Sequence, residues 1–301
     1  MSCVSTKIIF QKFSRINVVW YNYASNSPHL ENYSVRPMCN IALRAAREAG
    51  EMIVKAADNI DGIQVDEKSK YDFVTEVDRR SEELIINQLS SAFPEHSFYG
   101  EETGFRGKQD SPIEWIIDPL DGTTNFVRGI PHVAVSIACR INGRLEHAVV
   151  LEPFQREEFT ASRGDGAMLN GRRIRVSGRI SAKGALYATG IPFNSPAFDD
   201  MENYLKSMRA FAINSSGIRR LGVASLDLAY VASGRIDAFW EMHLKAWDIA
   251  AGALLVREAG GMVSDFQGGE NFLNSGHIVA CTPKLFKASL KVLDKHLGHL
   301  K

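Results

Sequence analysis

Trp115-Ile116-Ile117-Asp118-Pro119-Leu120-Asp121-Gly122-Thr123-Thr124-Asn125-Phe126 decides how the chain is read. An apolar, β-branched run ends on an acid. A proline turn and a second acid follow, and Gly122-Thr123-Thr124 has the look of a helix start. Two carboxylates three residues apart across a tight turn can face one point. Backbone N–H groups at Gly122 and Thr123, without partners at a helix start, suit a phosphate. Carboxylates for hard cations beside amides for a phosphoryl group form the arrangement of metal-assisted phosphate chemistry. The same residues also read as a plain D-P-x-D-G turn with Asp as turn former. The stretch alone leaves both readings open.

Three other acidic sites bear on the choice. Gly100-Glu101-Glu102 follows the strand-like His96 to Tyr99, Trp247-Asp248 puts an acid at a helix start, and Thr75 with Asp78 has capping-box spacing. Each has an adequate structural explanation singly: a solvated loop pair, an N-cap, a capping box. Together, Asp78, Glu101, Asp118, Asp121 and Asp248 would bring five negative charges near one pocket, which requires cations. Two divalent ions leave the cluster one unit negative (five minus four), so a phosphate dianion calls for a third ion or for Lys68.

Around these motifs the helical period begins at Asn40, with Ile41, Ala45, Ala49, Met52 and Ala56 as its stripe. A second helix follows Thr75, carries Leu84, Ile85, Leu89 and Ala92 inward and stops before Pro94. Val133 to Cys139 and His147 to Leu151 read as strands joined by Asn142-Gly143, a hairpin signal repeated at Asn170-Gly171. Ser225 to Ser233, the segment capped by Asp248, and the stretch opened by Thr282-Pro283 read as helices. They alternate with strands at Ile236 to Trp240, Met262 to Ser264 and His277 to Cys281. Hairpins first and alternation later predict an α+β half over 38–180, carrying the metal and phosphate motifs, joined to an α/β half over 181–301.

Residues 1–37 are acid-poor and lack a sustained period, so they are expected to be a poorly ordered extension, or sequence ahead of a start at Met38. An organellar transit peptide is the compositional alternative. With 35 Lys+Arg against 35 Asp+Glu, a strongly basic nucleic-acid binder is disfavoured. No apolar run is long enough to span a membrane. Cys3, Cys39, Cys139 and Cys281 form no C-x-x-C pair, which fits a reduced, cytoplasmic setting. There is no G-x-S-x-G elbow and no Walker loop, and no histidine falls in a motif.

The ordered motifs resemble those of the inositol monophosphatase family over about residues 38 to 299. Trp115 to Phe126 matches one signature and Trp247-Asp248-Ile249-Ala250-Ala251-Gly252 the other. Asp72-Phe73-Val74-Thr75-Glu76-Val77-Asp78 and Gly100-Glu101-Glu102 match the two remaining metal-region motifs. Leu226-Asp227-Leu228-Ala229-Tyr230-Val231-Ala232 and Val256-Arg257-Glu258-Ala259-Gly260-Gly261 are similar to the bacterial SuhB-like branch. The resemblance implies a layered αβαβα sandwich, Mg²⁺-dependent phosphomonoester hydrolysis with two or three ions, inhibition by lithium, and a homodimer. It implies that Glu101 and Asp118, with the Leu120 carbonyl, hold a first metal. Asp118, Asp121 and Asp248 hold a second, and Glu101 neighbours a third through water. It makes Asp78 and Thr123 the pair that orients and deprotonates the attacking water, and gives the Gly122 and Thr123 amides to phosphate oxygens. Asp121, Ser225, Glu241 and Asp248 fall where members contact the alcohol, and Lys68 falls near the family's lysine.

The chain departs from the pattern at His243, where the family often has glycine, and this leaves the substrate open: myo-inositol monophosphate or a similar polyol or sugar phosphate is expected. Fructose-1,6-bisphosphate, histidinol phosphate and 3′-phosphoadenosine phosphate are the alternatives. The SuhB-like resemblance implies a different role as well, in the transcription antitermination machinery during ribosomal RNA synthesis. It would use a surface, with Arg172, Arg173 and Arg175 or Arg219 and Arg220 as candidate groups.

Overall fold

The computed structural model describes residues 37–58, 65–69, 72–191, 197–213 and 215–300. Of the segment 1–37, only Pro37 is among them. It opens α1 (Pro37–Ala57), three residues ahead of Asn40, because a proline suits a first helical turn that needs no N–H. The buried face of α1 runs through Cys39, Ala42, Ala45, Ala46, Ala49 and Ile53. It shares Ala45 and Ala49 with the expected stripe, whereas Ile41, Met52 and Ala56 lie at its margin.

The hairpin of β1 (Val65–Ser69) and β2 (Asp72–Thr75) leads into α2 (Glu76–Ala92). The expected capping box is present. The Thr75 hydroxyl oxygen accepts the N–H of Val77 at 3.1 Å, and Asp78 accepts the Thr75 N–H at 2.8 Å. β3 (Ser97–Gly100) turns through β4 (Gly104–Gly107) and lies parallel to β5 (Ile113–Asp121). The apolar run therefore does not end at Asp118. The strand continues to Asp121, with a register break against the next strand between Asp118 and Asp121, where the missing N–H of Pro119 is tolerated. A short helix, α3 (Thr123–Val127), follows. An antiparallel meander then runs through β6 (Ala134–Ile141), β7 (Arg144–Glu152), β8 (Glu157–Ser162), β9 (Gly166–Leu169) and β10 (Arg172–Arg173). It completes an eight-stranded sheet of order β10-β9-β8-β7-β6-β5-β3-β4. At Asn142-Gly143 and Asn170-Gly171 both residues take left-handed backbone, the mirror-turn geometry that matches strand twist.

The second sheet comprises β11 (Leu186–Thr189), β12 (Gly217–Arg219), β13 (Ala238–Glu241), β14 (Met262–Ser264) and β15 (Ile278–Cys281), in the order β12-β11-β13-β15-β14. Its helices are α4 (Met201–Ala212), α5 (Ala224–Ala232), α6 (Ala246–Glu258), α7 (Phe272–Ser275) and α8 (Pro283–Leu297). α5 and α6 are apolar on nearly every side, so a single buried face cannot satisfy them. They lie between the sheets, α6 on β5 to β8 and α5 against α6 and β13. α1 and α2 cover the outer face of the first sheet, and α4 and α8 cover that of the second. The result is the expected α, β, α, β, α layering, with one apolar core around the middle helices and one between each sheet and its outer helices. Trp115 and Trp240 are wholly buried in the outer two cores. Each large apolar side chain so placed contributes about 1.5–3 kcal/mol.

Among the described residues no helix is long and apolar enough to cross a membrane. Cys39, Cys139 and Cys281 are free and buried.

Candidate active site

Parallel pairing brings the first two acids together. Gly100 pairs with Ile117, and the Glu101 N–H extends the ladder to the Ile117 carbonyl at 3.1 Å, so Glu101 leaves β3 beside Asp118. Asp118 is buried, and one of its oxygens accepts the Leu120 N–H at 3.0 Å. The break after it redirects Asp121 toward the start of α5, where the Ser225 N–H and hydroxyl donate to one oxygen at 2.8 and 2.6 Å. Asp248 arrives with α6. The Ser136 hydroxyl donates to the Trp247 carbonyl at 3.1 Å, and the Trp247 ring meets Tyr99 at 5.2 Å, which ties that helix start to β6 and β3. Asp248 is not the N-cap. Lys245 is, and Asp248 stands three residues inside, accepting the Lys245 N–H at 2.7 Å.

Electrostatics shows that these four acids share one volume. Burial pushes Asp118 well above the ordinary carboxylate range, and Glu101, Asp121 and Asp248 push it further. Asp248 is raised by burial and by Asp121 and Glu101. Asp121 is pushed up to about 6 by burial, against the Ser225 donors that favour its charge. Among the described residues no three His, Cys, Asp or Glu already stand as a ready metal-ligand set. Each carboxylate is drawn instead to an internal donor or a neighbour. The donor chemistry still fits Mg²⁺: only hard oxygens converge, and their mutual repulsion is what a divalent cation removes.

Asp78 and Thr123 meet as expected. The Thr123 hydroxyl donates to one Asp78 oxygen at 2.9 Å, and the other Asp78 oxygen takes the Thr75 N–H and hydroxyl. The Leu120 carbonyl lies 3.2 Å from the same Thr123 hydroxyl, but one proton serves one strong bond, and the carboxylate is the stronger acceptor. Gly122 precedes Thr123 with φ of 96°, and a Cβ there would stand 2.7 Å from Val223, so only glycine fits the corner that starts α3. The first N–H of this segment to return to a carbonyl is that of Phe126, bonded to Gly122, which leaves the Gly122 and Thr123 amides ahead of the helical ladder.

On the far side, Glu241 ends β13, where burial pushes it up to about 8 while Arg220 and the Gly190 N–H pull it down. The sequence reading missed Asp227. It is 1 % exposed on α5, carries an oxygen with no hydrogen-bond partner, and is held well above its usual range by burial, Glu241 and Asp121. Its signal was available: an acid inside the apolar run Leu226 to Ala229. Arg220 belongs to this rim. Arg173 donates to the Asp165 carbonyl, and Arg172, Arg173, Arg175 and Arg219 are exposed. His243 is half-buried and has φ of 63°, which gives a physical reason for the family's glycine. The side chain of Lys68 lies outside the described residues.

A model of the inositol monophosphatase family matches residues 34–297. Nus factor SuhB of Pseudomonas aeruginosa is 58% identical over 265 residues, which cover 87% of this chain and 98% of that protein. Nus factor SuhB of Escherichia coli is 48% identical over 264 residues, 88% of this chain and 98% of that one. Among solved structures, the extragenic suppressor protein suhB from Bartonella henselae superposes with a TM-score of 0.82 at 43% identity, covering 86% of this chain and 98% of that chain. The Thermotoga maritima IMPase gives 0.78 at 33% identity, covering 87% and 98%. With four ordered motifs converging on one pocket and matches that run nearly the full length of these relatives, the chain belongs to the inositol monophosphatase family, on its SuhB branch.

Proposed function

We propose that this chain is a Nus-type factor of the transcription antitermination machinery, built on a fold whose pocket hydrolyses phosphomonoesters with Mg²⁺. The first part is supported by the relatives named Nus factor SuhB, matched over almost their whole length. That role needs a surface, for which exposed Arg172, Arg173, Arg175 and Arg219 are the candidate groups.

The second part is carried by one observation: parallel pairing sets Glu101 beside Asp118, and burial with the neighbouring charges of Glu101 and Asp121 pushes both Asp118 and Asp248 well above the ordinary carboxylate range. These four and the Leu120 carbonyl would hold two or three Mg²⁺ ions, which supply positive charge for phosphoryl oxygens and acidify water. The chain's own groups do the rest. The Thr123 hydroxyl donates to Asp78, so it would accept a hydrogen bond from the attacking water and orient it, taking the water's proton as its own passes to Asp78. The Gly122 and Thr123 amides receive phosphate oxygens, while Asp121, Ser225, Glu241 and Asp248 meet the hydroxyls of a polyol such as myo-inositol monophosphate. A homodimer in a reducing cytoplasm belongs to the same proposal, consistent with the buried free cysteines.

A panel of phosphate esters with and without Mg²⁺ tests the pocket, and hydrolysis unaffected by EDTA refutes the metal reading. Asp121→Asn in cells tests the division of labour. It should abolish hydrolysis and still support ribosomal RNA synthesis; loss of both would place the two roles in one site.

A further inference from the structure

α2 offers the pocket three residues from one face, at positions i, i+3 and i+4. Asp78 holds Thr123, the Ser81 hydroxyl donates to the Pro119 carbonyl at 2.9 Å, and Glu82 accepts the Glu102 N–H at 2.8 Å. Glu82 is the anomaly among them. It is an acid in a helix interior with 0 % exposure, and its second oxygen has no hydrogen-bond partner. A carboxyl group so buried is costly, and an apolar side chain would fill the space without that cost. Gly100 lies flush against it: a Cβ on Gly100 would stand 2.4–2.7 Å from the Glu82 carboxyl atoms. The strand end and the residue after Glu101 are therefore both seated on this one side chain.

We infer that Glu82 is a positioning residue that locks the turn after β3 and so sets the direction of Glu101 toward Asp118. The inference rests on the Mg²⁺ reading of the pocket. The Glu101 N–H is anchored on the Ile117 carbonyl, and Gly100 pairs with Gly104 across the turn, so both ends of the turn are held by strands. The Glu82 bond to the Glu102 N–H adds an anchor within the turn itself and from outside the sheet, so the Glu101 carboxyl is aimed before any cation arrives. Ser81 does the same for the other acidic segment through Pro119, so one helix face aligns both halves of the donor set. Partners of this kind behind metal ligands typically contribute about 10- to 100-fold in metal affinity.

The test is thermal melting of the full chain titrated with MgCl₂, on wild type, Glu82→Ala and Glu82→Gln. Glu82→Ala should raise the Mg²⁺ concentration for half-maximal stabilisation about tenfold or more. KM for a phosphate ester at saturating Mg²⁺ should stay within about twofold, because the substrate contacts lie elsewhere. Glu82→Gln keeps an oxygen for the Glu102 N–H and should stay near wild type. A role in packing alone lowers the melting temperature equally with and without Mg²⁺ and leaves half-saturation unmoved; that result overturns the inference. If Glu82→Ala does not fold, Glu82→Asp replaces it: the carboxyl group stays, the reach is lost, and the same weakening of Mg²⁺ binding is expected. If wild type itself shows no Mg²⁺-dependent shift, the metal reading falls, and this inference with it.

Discussion

Asp78 and Asp248 occupy the same local position, three residues past the N-cap of their helices. Each accepts the N–H of its cap residue, at 2.8 Å from Thr75 and 2.7 Å from Lys245. Their fates differ. Burial still raises Asp78 above its usual range, but Thr75 returns the favour with its own hydroxyl and Thr123 adds another donor, and both pull it back toward its charged form. Lys245 offers no side-chain cap, and Asp248 faces Asp121, Glu101 and Glu241, all of which oppose its charge. One helix-start device thus yields a carboxylate surrounded by donors and one surrounded by other acids, which is the difference between the proposed proton handler and the proposed metal ligand. What surrounds the cap, not the cap, assigns the role.

The largest effect should come from Asp248→Asn. The amide oxygen can still accept the Lys245 N–H, so the helix start survives. Loss of one charge-stabilising ligand costs about 3–4 kcal/mol, roughly a hundred- to thousandfold in kcat/KM. In EDTA its melting temperature should hold or rise, because repulsion is relieved. Turnover within about threefold of wild type would reduce Asp248 to a cap and erase the contrast.

Asp78→Ala should behave oppositely in melts. It strips the acceptor from the Thr75 N–H and from the Thr123 hydroxyl, at about 2 kcal/mol of stability. Because no cation relief is involved, the loss should be equal in EDTA and in Mg²⁺. A loss confined to the Mg²⁺ samples would make Asp78 a ligand.

The pH dependence sharpens the contrast further. Asp121 is raised from 3.8 to about 6 and Glu241 from 4.5 to about 8. In that window the folded protein binds protons that the unfolded chain has released, so stability falls as pH rises. The metal-free protein should therefore lose melting temperature from about pH 4 to pH 8. Saturating Mg²⁺ should flatten or reverse the slope, since the cation takes the protons' place. A metal-free profile that is flat across this range would show that the acids do not crowd one another.

The smallest effect concerns the loop that leads into Asp248. His243 holds left-handed backbone and has a buried ring nitrogen without a partner. His243→Gly should stabilise by about 0.5–1 kcal/mol, read as a small rise in melting temperature. A fall of several degrees would show that its ring contact with His277, at 4.9 Å, outweighs the strain.

What the amino-acid sequence determined by itself is everything that acts within a turn or two of chain. The Thr75–Asp78 box, both Asn-Gly hairpins, the proline that opens the last helix and the acids at element ends all follow from local chemistry, and the family motifs follow from identity at those positions. The all-round apolar character of α5 and α6 is written in the sequence too, but its meaning, a place between two layers, became plain only in the fold. Only the tertiary structure decided which acids meet. The parallel register that sets Glu101 beside Asp118, the continuation of β5 through Pro119, and the burial of Glu82 and Asp227 depend on segments far apart in the chain. Periodicity and capping are nearest-neighbour signals, whereas a buried charge is defined by what packs against it. A single acid inside an apolar helix therefore looks alike in sequence whether it is solvated, paired or awaiting a cation.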